Sequence, residues 1–352
     1  MKTASPWHAF REKAAKSPRK IILADGEDPR IIQAAVQATE QKIAHPVLIG
    51  NTQKIAALWQ RHSSVPLPEI IDNTRLMPDQ QERYFKTLCT LSKFKTLPAA
   101  EINLRLTDPL VLGCLATKLH EVEGFIGGAT RTTADTLRAA FSIIGLKHGI
   151  STLFGFFLIE KREPVDPQNA LALLADCAVI PDPSAKQLSQ IGIYGAQAFS
   201  FFTQQMAKIA FLSFSTHGSA EHESVTKIRE ALTLAKAKAP TLMMDGEWQA
   251  DAALDAFTAG IKGVATSPMA GQANVLVVPD LNCGNIAYKL VQRLGGCRAV
   301  GPVLWGLNQP ANDLSRGCTW EDVLDMIALT GIQAQAASAG VDSDIQMKAQ
   351  VS

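Results

Sequence analysis

Short runs rich in Ile, Val and Leu alternate with stretches of helical spacing along almost the whole chain, and that order points to one fold class. Ile21-Ile22-Leu23-Ala24 gives way to Asp28-Pro29 and the helical pattern Ile31-Ile32-Ala35-Val36; Pro46-Val47-Leu48-Ile49-Gly50 is followed by Ile55-Ala56-Leu58-Trp59. The alternation continues through Glu69-Ile70-Ile71-Asp72, a helical stretch from Asp79 to about Phe94, a helix opened by Asp108-Pro109, the strand Gly124-Phe125-Ile126-Gly127 and a helix from Thr133 to Ile144. Repeated strand-helix units predict a mostly parallel sheet covered by helices, an α/β protein.

The pattern changes at Gly145 to Gly149. Ser151 to Glu160 and Leu173 to Val179 are strand-like runs separated only by a polar, proline-containing stretch, Lys161 to Asn169. That is too little helix for a parallel crossover, so the two are expected to pair antiparallel. A second domain begins near residue 150, with further strands at Ile209-Ala210-Phe211-Leu212-Ser213, Leu242-Met243-Met244-Asp245 and Val275-Leu276-Val277-Val278. The last strand, Ala299 to Leu304, and the final helix are expected to pack back on the first domain. Residues 1–148 plus 304–352 then form a discontinuous first α/β domain, and 149–303 a second that would carry a dimer contact. A chain of 352 residues is long enough for two such domains. The tail after about Ala336 reads as frayed.

Lys plus Arg number 34 against 33 Asp plus Glu, so no global charge favours nucleic acid or an anionic membrane, and an anionic ligand needs a local cluster. The six cysteines have no CxxC spacing, which fits a reducing cytoplasm. The apolar segment Leu153-Phe154-Gly155-Phe156-Phe157-Leu158-Ile159 is too short to span a bilayer. The basic start, Met1 to Lys20, lacks an apolar h-region and reads as structure, with Ser5-Pro6 opening a helix.

Near the end, the apolar run Gly301-Pro302-Val303-Leu304-Trp305-Gly306-Leu307 breaks into Asn312-Asp313-Leu314-Ser315-Arg316-Gly317-Cys318-Thr319-Trp320-Glu321-Asp322. A hydroxyl, a guanidinium and carboxylates within a few residues can hold an anion and move a proton. Arg316 matches phosphate or carboxylate oxygens with a planar two-pronged fork. Thr319 stands where an N-cap would open the helix through Val323-Leu324, so Ser315 and Arg316 lie beside a helix N-terminus that itself favours anions. Thr319 and Asp322 also approximate a capping box, which by itself would explain Asp322.

Other polar residues collect after the strands: Asp25-Gly26, Gly127 to Thr133, Ser213 to Ser219, Asp245-Gly246-Glu247, and Pro279 to Asn282. In open α/β sheets ligands bind outside the carboxyl ends of strands, although such turns are also ordinary turn chemistry. Gly127-Gly128-Ala129-Thr130-Arg131-Thr132-Thr133 is the best of these, with glycines that let backbone approach an anion and threonines that cap the next helix. It has neither the dinucleotide Gly-x-Gly-x-x-Gly order nor a P-loop ending, which disfavours a nucleotide triphosphatase. The seven histidines show no His-Glu-x-x-His, and no Gly-x-Ser-x-Gly elbow occurs. Cys177 is apolar-flanked and reads as a packed thiol. Asp251 and Asp255 lie one helical turn apart and could hold a divalent ion or simply line an exposed helix face.

Together these segments resemble the phosphate acetyltransferase (phosphotransacetylase) family, from about Ile21 to about Thr330. The motifs that carry the resemblance are Gly127 to Arg138, Ala175-Asp176-Cys177-Ala178-Val179 with Pro181-Asp182-Pro183, Ser213 to Ser219, Asp245-Gly246-Glu247, Asn274 to Gly296, and Asn312 to Cys318. The resemblance implies two domains, each a mostly parallel sheet flanked by helices, with a cleft between them, an architecture like that of isocitrate and isopropylmalate dehydrogenases. It implies acetyl transfer between acetyl phosphate and coenzyme A in a homodimer, with coenzyme A as substrate, no bound cofactor and no metal. It also implies roles: Asp322 as base toward the thiol, Arg316 on acetyl phosphate and its developing oxyanion, Ser315 as a positioning group, and Arg138, Thr130, Thr132, Thr133, Asn285 and Tyr288 as substrate or coenzyme A contacts.

The chain departs from the family pattern at Arg131, where His is common, and at Ser92-Lys93-Phe94-Lys95-Thr96, where relatives carry an Arg-containing stretch. Trp248 and Ala250 replace the family's usual Leu and Phe. These changes bear on coenzyme A anchoring and the acyl pocket, not on reaction class. Lacking the long N-terminal regulatory region of some relatives, the chain reads as the short catalytic form. Two other readings stay open: a metal- and NAD(P)-dependent hydroxyacid dehydrogenase using Asp251 and Asp255, and a non-catalytic binding relative, against which Ser315, Arg316 and Asp322 argue.

Overall fold

The computed structural model describes residues 5–162, 164 and 170–338. Most of the Lys161 to Asn169 stretch, and the tail read as frayed from residue 339 on, lie outside the described residues. The chain forms two compact units, one of residues 7–151 and 306–338, the other of 152–305 with Ser5 and Pro6.

The first unit begins with α1 (Pro6–Ala15), β1 (Arg19–Leu23), α2 (Pro29–Glu40), β2 (Ala44–Ile49), α3 (Thr52–His62) and β3 (Glu69–Ile71). It continues with α4 (Pro78–Thr90), α5 (Ala99–Arg105), α6 (Pro109–Lys118), β4 (Gly124–Gly127) and α7 (Thr133–Ile143). Helix starts follow local chemistry. Asp28 and Asp108 each precede a proline and accept the amide two residues on, from Arg30 at 2.9 Å and Leu110 at 3.0 Å. Within the strands, Ile22, Ala24, Val47, Ile49 and Phe125 join Leu112, Leu115 and Ala140 of α6 and α7 in one core. The alternate strand residues Ile21, Leu23, Leu48 and Ile126 are equally buried and face the other side. A sheet covered on both faces needs apolar residues at every position, which is what these short runs supply. Each large side chain so buried contributes roughly 1.5–3 kcal/mol.

The second unit contains β5 (Phe154–Glu160), β6 (Leu171–Ala175), α8 (Ala185–Thr203), β7 (Lys208–Leu212), α9 (Glu223–Lys238), β8 (Met243–Trp248), α10 (Ala250–Leu254), α11 (Ala256–Ile261), β9 (Val275–Val277), α12 (Leu281–Arg293) and β10 (Arg298–Trp305). Its sheet runs β10-β5-β6-β9-β7-β8, with β6, β9, β7 and β8 parallel and β5 antiparallel to both neighbours. The two strands flanking 161–169 thus pair antiparallel, in keeping with the short connection.

The strand from Ala299 to Leu304 does not return to the first domain. It is part of β10 and pairs with β5 from Arg298↔Glu160 to Trp305↔Phe154, because its apolar residues are buried along that edge. What completes the first sheet is a strand missed in the sequence, β11 (Ala311–Asp313), parallel to β4 and followed by α13 (Trp320–Ser338). The first sheet is therefore all parallel, in the order β11-β4-β1-β2-β3.

Candidate active site

Because β11, β4 and β1 are parallel neighbours, their carboxyl ends share one edge, and the loops that leave them lie side by side. Asp25 leaves β1. Its carboxylate accepts the amides of Ala129 (3.1 Å) and Thr130 (3.2 Å) and the Thr130 hydroxyl. The anion-binding backbone expected after β4 is thus occupied in part by an internal carboxylate. Thr132 caps α7, accepting the Asp135 amide at 3.2 Å and donating to the Asp135 carboxylate at 2.7 Å.

Beneath this loop sits Asp313, fully buried at the end of β11. A Cβ on Gly128 would stand 2.1 Å from Asp313 Oδ1, and Gly128 has φ +104°, so only glycine fits where the loop crosses the carboxyl. Burial pushes the Asp313 carboxyl up to about 7, against the opposing pull of the Thr133 and Thr136 hydroxyls and the Leu314 amide, while the like charge of Asp25 adds to the rise. Neither Asp313 oxygen completes a hydrogen bond of good geometry among the described residues.

Past β11 the chain turns through Ser315 and Arg316. The Ser315 hydroxyl accepts the Gly317 amide at 3.3 Å, which leaves its proton for another acceptor. Arg316 is exposed, and its guanidinium makes no ion pair among the described residues. Its backbone carbonyl is held by Arg30 at 2.8 Å. Asp322, in the first turn of α13, is buried, and its Oδ2 accepts the Thr319 amide at 2.9 Å while its own amide donates to the Thr319 hydroxyl at 3.2 Å. The capping box expected from spacing is built. Between Arg30 and Asp322 lies Cys318, whose thiol burial pushes up to about 11; Arg30 opposes the rise, and Asp322, Asp28 and Asp25 add to it.

The remaining expected contacts are less uniform. Arg138 is exposed on α7 and pairs with Asp135 at 2.9 Å. Arg131 bonds both oxygens of Asp108 at 3.3 Å, tying the loop to the start of α6. Asn285 and Tyr288 lie on α12, in the other unit. Asn285 reaches the Cys177 carbonyl at 3.5 Å and accepts from Lys289 at 2.6 Å. Tyr288 needs correcting as an open binding residue: it is 6% exposed and its ring stacks on Phe157 at 3.8 Å, in the core of the second domain.

The second unit has its own cluster after β7 and β8. Glu247 accepts from Ser215 Oγ (2.7 Å), the Gly218 amide (2.8 Å) and Arg229 Nε (2.9 Å). Burial alone would raise its pKa, but these bonds more than offset it and hold the carboxyl at about 2. Trp248, one of the departures, is fully buried beside it. Asp251 and Asp255 do not converge: Lys262 occupies the first at 2.6 Å, and the second caps α11 by accepting the Thr258 amide at 2.7 Å. Among the described residues no group of three or more His, Cys, Asp or Glu could hold a metal.

Three residues of the first-domain edge were missed in the sequence: Asp25 as the partner of the Gly127–Thr133 loop, Arg30 and Asp313. Asp25 and Arg30 leave only a local trace, an Asp-Gly after a strand and an Asp-Pro-Arg at a helix start, both ordinary turn chemistry, and Asp313 stands inside the Asn312–Cys318 motif with no role read from it.

The family model for "Phosphate acetyl/butaryl transferase" matches residues 7–331. The chain is 40% identical over 324 residues to a phosphate acetyltransferase of Thermoanaerobacterium thermosaccharolyticum, covering 92% of this chain and 98% of that protein. It is 38% identical over 328 residues to one from Acetivibrio thermocellus, covering 93% and 98%. The fold superposes on a phosphotransacetylase crystal structure from Streptococcus pyogenes with a TM-score of 0.84 at 35% identity, over 95% of this chain and 99% of that one.

Proposed function

The chain belongs to the phosphate acetyl/butaryl transferase family, and from that premise we propose how the first-domain edge moves an acetyl group between acetyl phosphate and coenzyme A. The observation that carries the reading is an asymmetry of partners. Asp25, Asp28, Thr130 and Thr132 all bond to protein groups, whereas the Arg316 side chain is exposed without an ion pair among the described residues and the Ser315 hydroxyl accepts one amide and keeps its proton to donate.

In this reading Arg316 binds the phosphoryl oxygens of acetyl phosphate with its fork and meets the negative charge that grows on the carbonyl oxygen. Ser315 donates to the same group. Asp322 takes the proton of the coenzyme A thiol as sulfur attacks the carbonyl carbon, since a thiol is a weak nucleophile until deprotonated. The sulfur–carbon bond forms, the carbon–oxygen bond to phosphate breaks, and phosphate leaves with the electron pair. Arg138, exposed on α7, contacts a phosphate of coenzyme A, with Thr130, Thr132 and Thr133 of the same unit as polar contacts, and Asn285 on α12 serves as a further coenzyme A contact. The chemistry calls for no bound cofactor.

Acetyl-CoA formation from acetyl phosphate, measured before and after dialysis against a strong chelator, tests this. Activity is expected and is expected to survive, because a guanidinium supplies the positive charge a phosphate needs. Loss of activity restored only by a divalent ion would overturn the site.

We place the protein in the cytoplasm as a homodimer. All six cysteines are free thiols, and no helix among the described residues is long and apolar enough to cross a membrane. Ile286 and Leu290 on α12 and Leu294 at its C-cap follow at four-residue spacing and are 56%, 50% and 83% exposed, an apolar stripe suited to a second copy. Sedimentation should give twice the chain mass, and Leu290→Lys should shift it toward the monomer; a wild-type monomer at micromolar concentration sinks the assignment.

A further inference from the structure

The Arg30 side chain bonds to all three loops of the site edge. From α2 its Nη1 donates to the carbonyls of Arg316 (2.8 Å) and Cys318 (3.0 Å), and its Nη2 donates to the carbonyl of Ala129 (3.0 Å). The other side of the same guanidinium is fixed by Asp28, which accepts from Nε at 3.0 Å and from Nη2 at 2.8 Å. Asp28 is in turn immobilised as the N-cap of α2. One planar cation therefore joins three backbone carbonyls from two loops, in addition to the β4–β11 pairing and the packing of Gly128 against Asp313 and Leu314. Those carbonyls flank Arg316, whose side chain has no protein partner to hold it among the described residues.

We infer that Arg30, oriented by Asp28, is a positioning residue that sets where the Arg316 guanidinium stands relative to the Gly127–Thr133 loop. This rests on the reading that Arg316 binds acetyl phosphate. A carbonyl has lone pairs but no means of fixing its own peptide; a rigid fork with five N–H donors can hold three carbonyls and both Asp28 oxygens at once, and an ammonium with three donors cannot. Without the clasp the Ser315–Cys318 turn keeps its residues and loses its setting.

The experiment is a double-mutant cycle of Arg30→Gln with Arg316→Lys, using the full chain and steady-state rates in both substrates, with Arg30→Lys as a milder variant if Arg30→Gln does not fold. Melting temperatures accompany each variant, and rates are taken well below them. Arg30→Gln should lower kcat/KM for acetyl phosphate by about tenfold to a hundredfold, the size of loss that a misplacement of roughly 1 Å causes, with the KM for coenzyme A unchanged. Arg30→Lys should show the same split to a smaller degree. In the Arg316→Lys background the Arg30 change should cost little more, since both act on one contact.

Rates near wild type in Arg30→Gln while Arg316→Lys is impaired would overturn the clasp and leave the proposed function standing. Full additivity of the two losses, or an effect on the coenzyme A constant, would overturn it as well. An Arg316→Lys enzyme that is itself near normal would overturn the site reading, and the clasp with it.

Discussion

Asp322→Asn is expected to lower turnover by ~10² to 10⁴-fold, the range associated with a positioned general base, while leaving both Michaelis constants nearly unchanged. Part of the activity should return at high pH, as the thiol of coenzyme A, with an ordinary thiol pKa of roughly 8.5, ionises without help. The variant discriminates well because Asp322 has a second occupation. Its Oδ2 accepts the Thr319 amide at 2.9 Å, and an asparagine oxygen can accept that same bond. The cap of α13 should survive, with a stability loss on the order of 1 kcal/mol at most. If Asp322 only caps the helix, the outcome reverses: a small drop in melting temperature with turnover intact. A melting curve and a pH series of turnover numbers on one purified variant separate the two, and a fully active enzyme removes Asp322 from the chemistry.

Arg316→Lys keeps the charge and removes the planar fork. Because the Arg316 guanidinium has no protein partner among the described residues, the fold gives little reason for the substitution to destabilise, and the melting temperature should stay within about a degree or two. Turnover should fall and the KM for acetyl phosphate should rise, together by about a hundredfold in kcat/KM, comparable to removing one donor from an oxyanion site. The KM for coenzyme A should not move. Normal kinetics would mean that Arg316 merely closes the turn, and the positive charge of the site would have to be sought at Arg138 or Arg131.

Much of the frame was legible because it rests on short-range rules. Apolar runs at Ile21, Pro46 and Gly124 mark buried parallel strands, since a sheet with helices on both faces needs side chains of that kind at every position. Asp28, Asp108 and Thr132 announce helix starts because a cap is satisfied within two or three residues of itself. The Thr319–Asp322 capping box was legible for the same reason, its members being close in the chain. β11 was not: three residues, Ala311–Asp313, show no period, and only their pairing with β4 makes them a strand.

By itself, then, the sequence determined the α/β class, the helix caps, the family and the loop that offers a hydroxyl and a guanidinium. The tertiary structure alone decided which partners those groups meet. Asp25 fills the amides after β4 from 104 residues away, Arg30 reaches the Arg316 carbonyl across 286, and Tyr288 turns into the core onto Phe157. Such contacts depend on strand order and on which carboxyl ends share an edge, and two residues that meet only through a sheet leave no spacing in the chain by which either could announce the other.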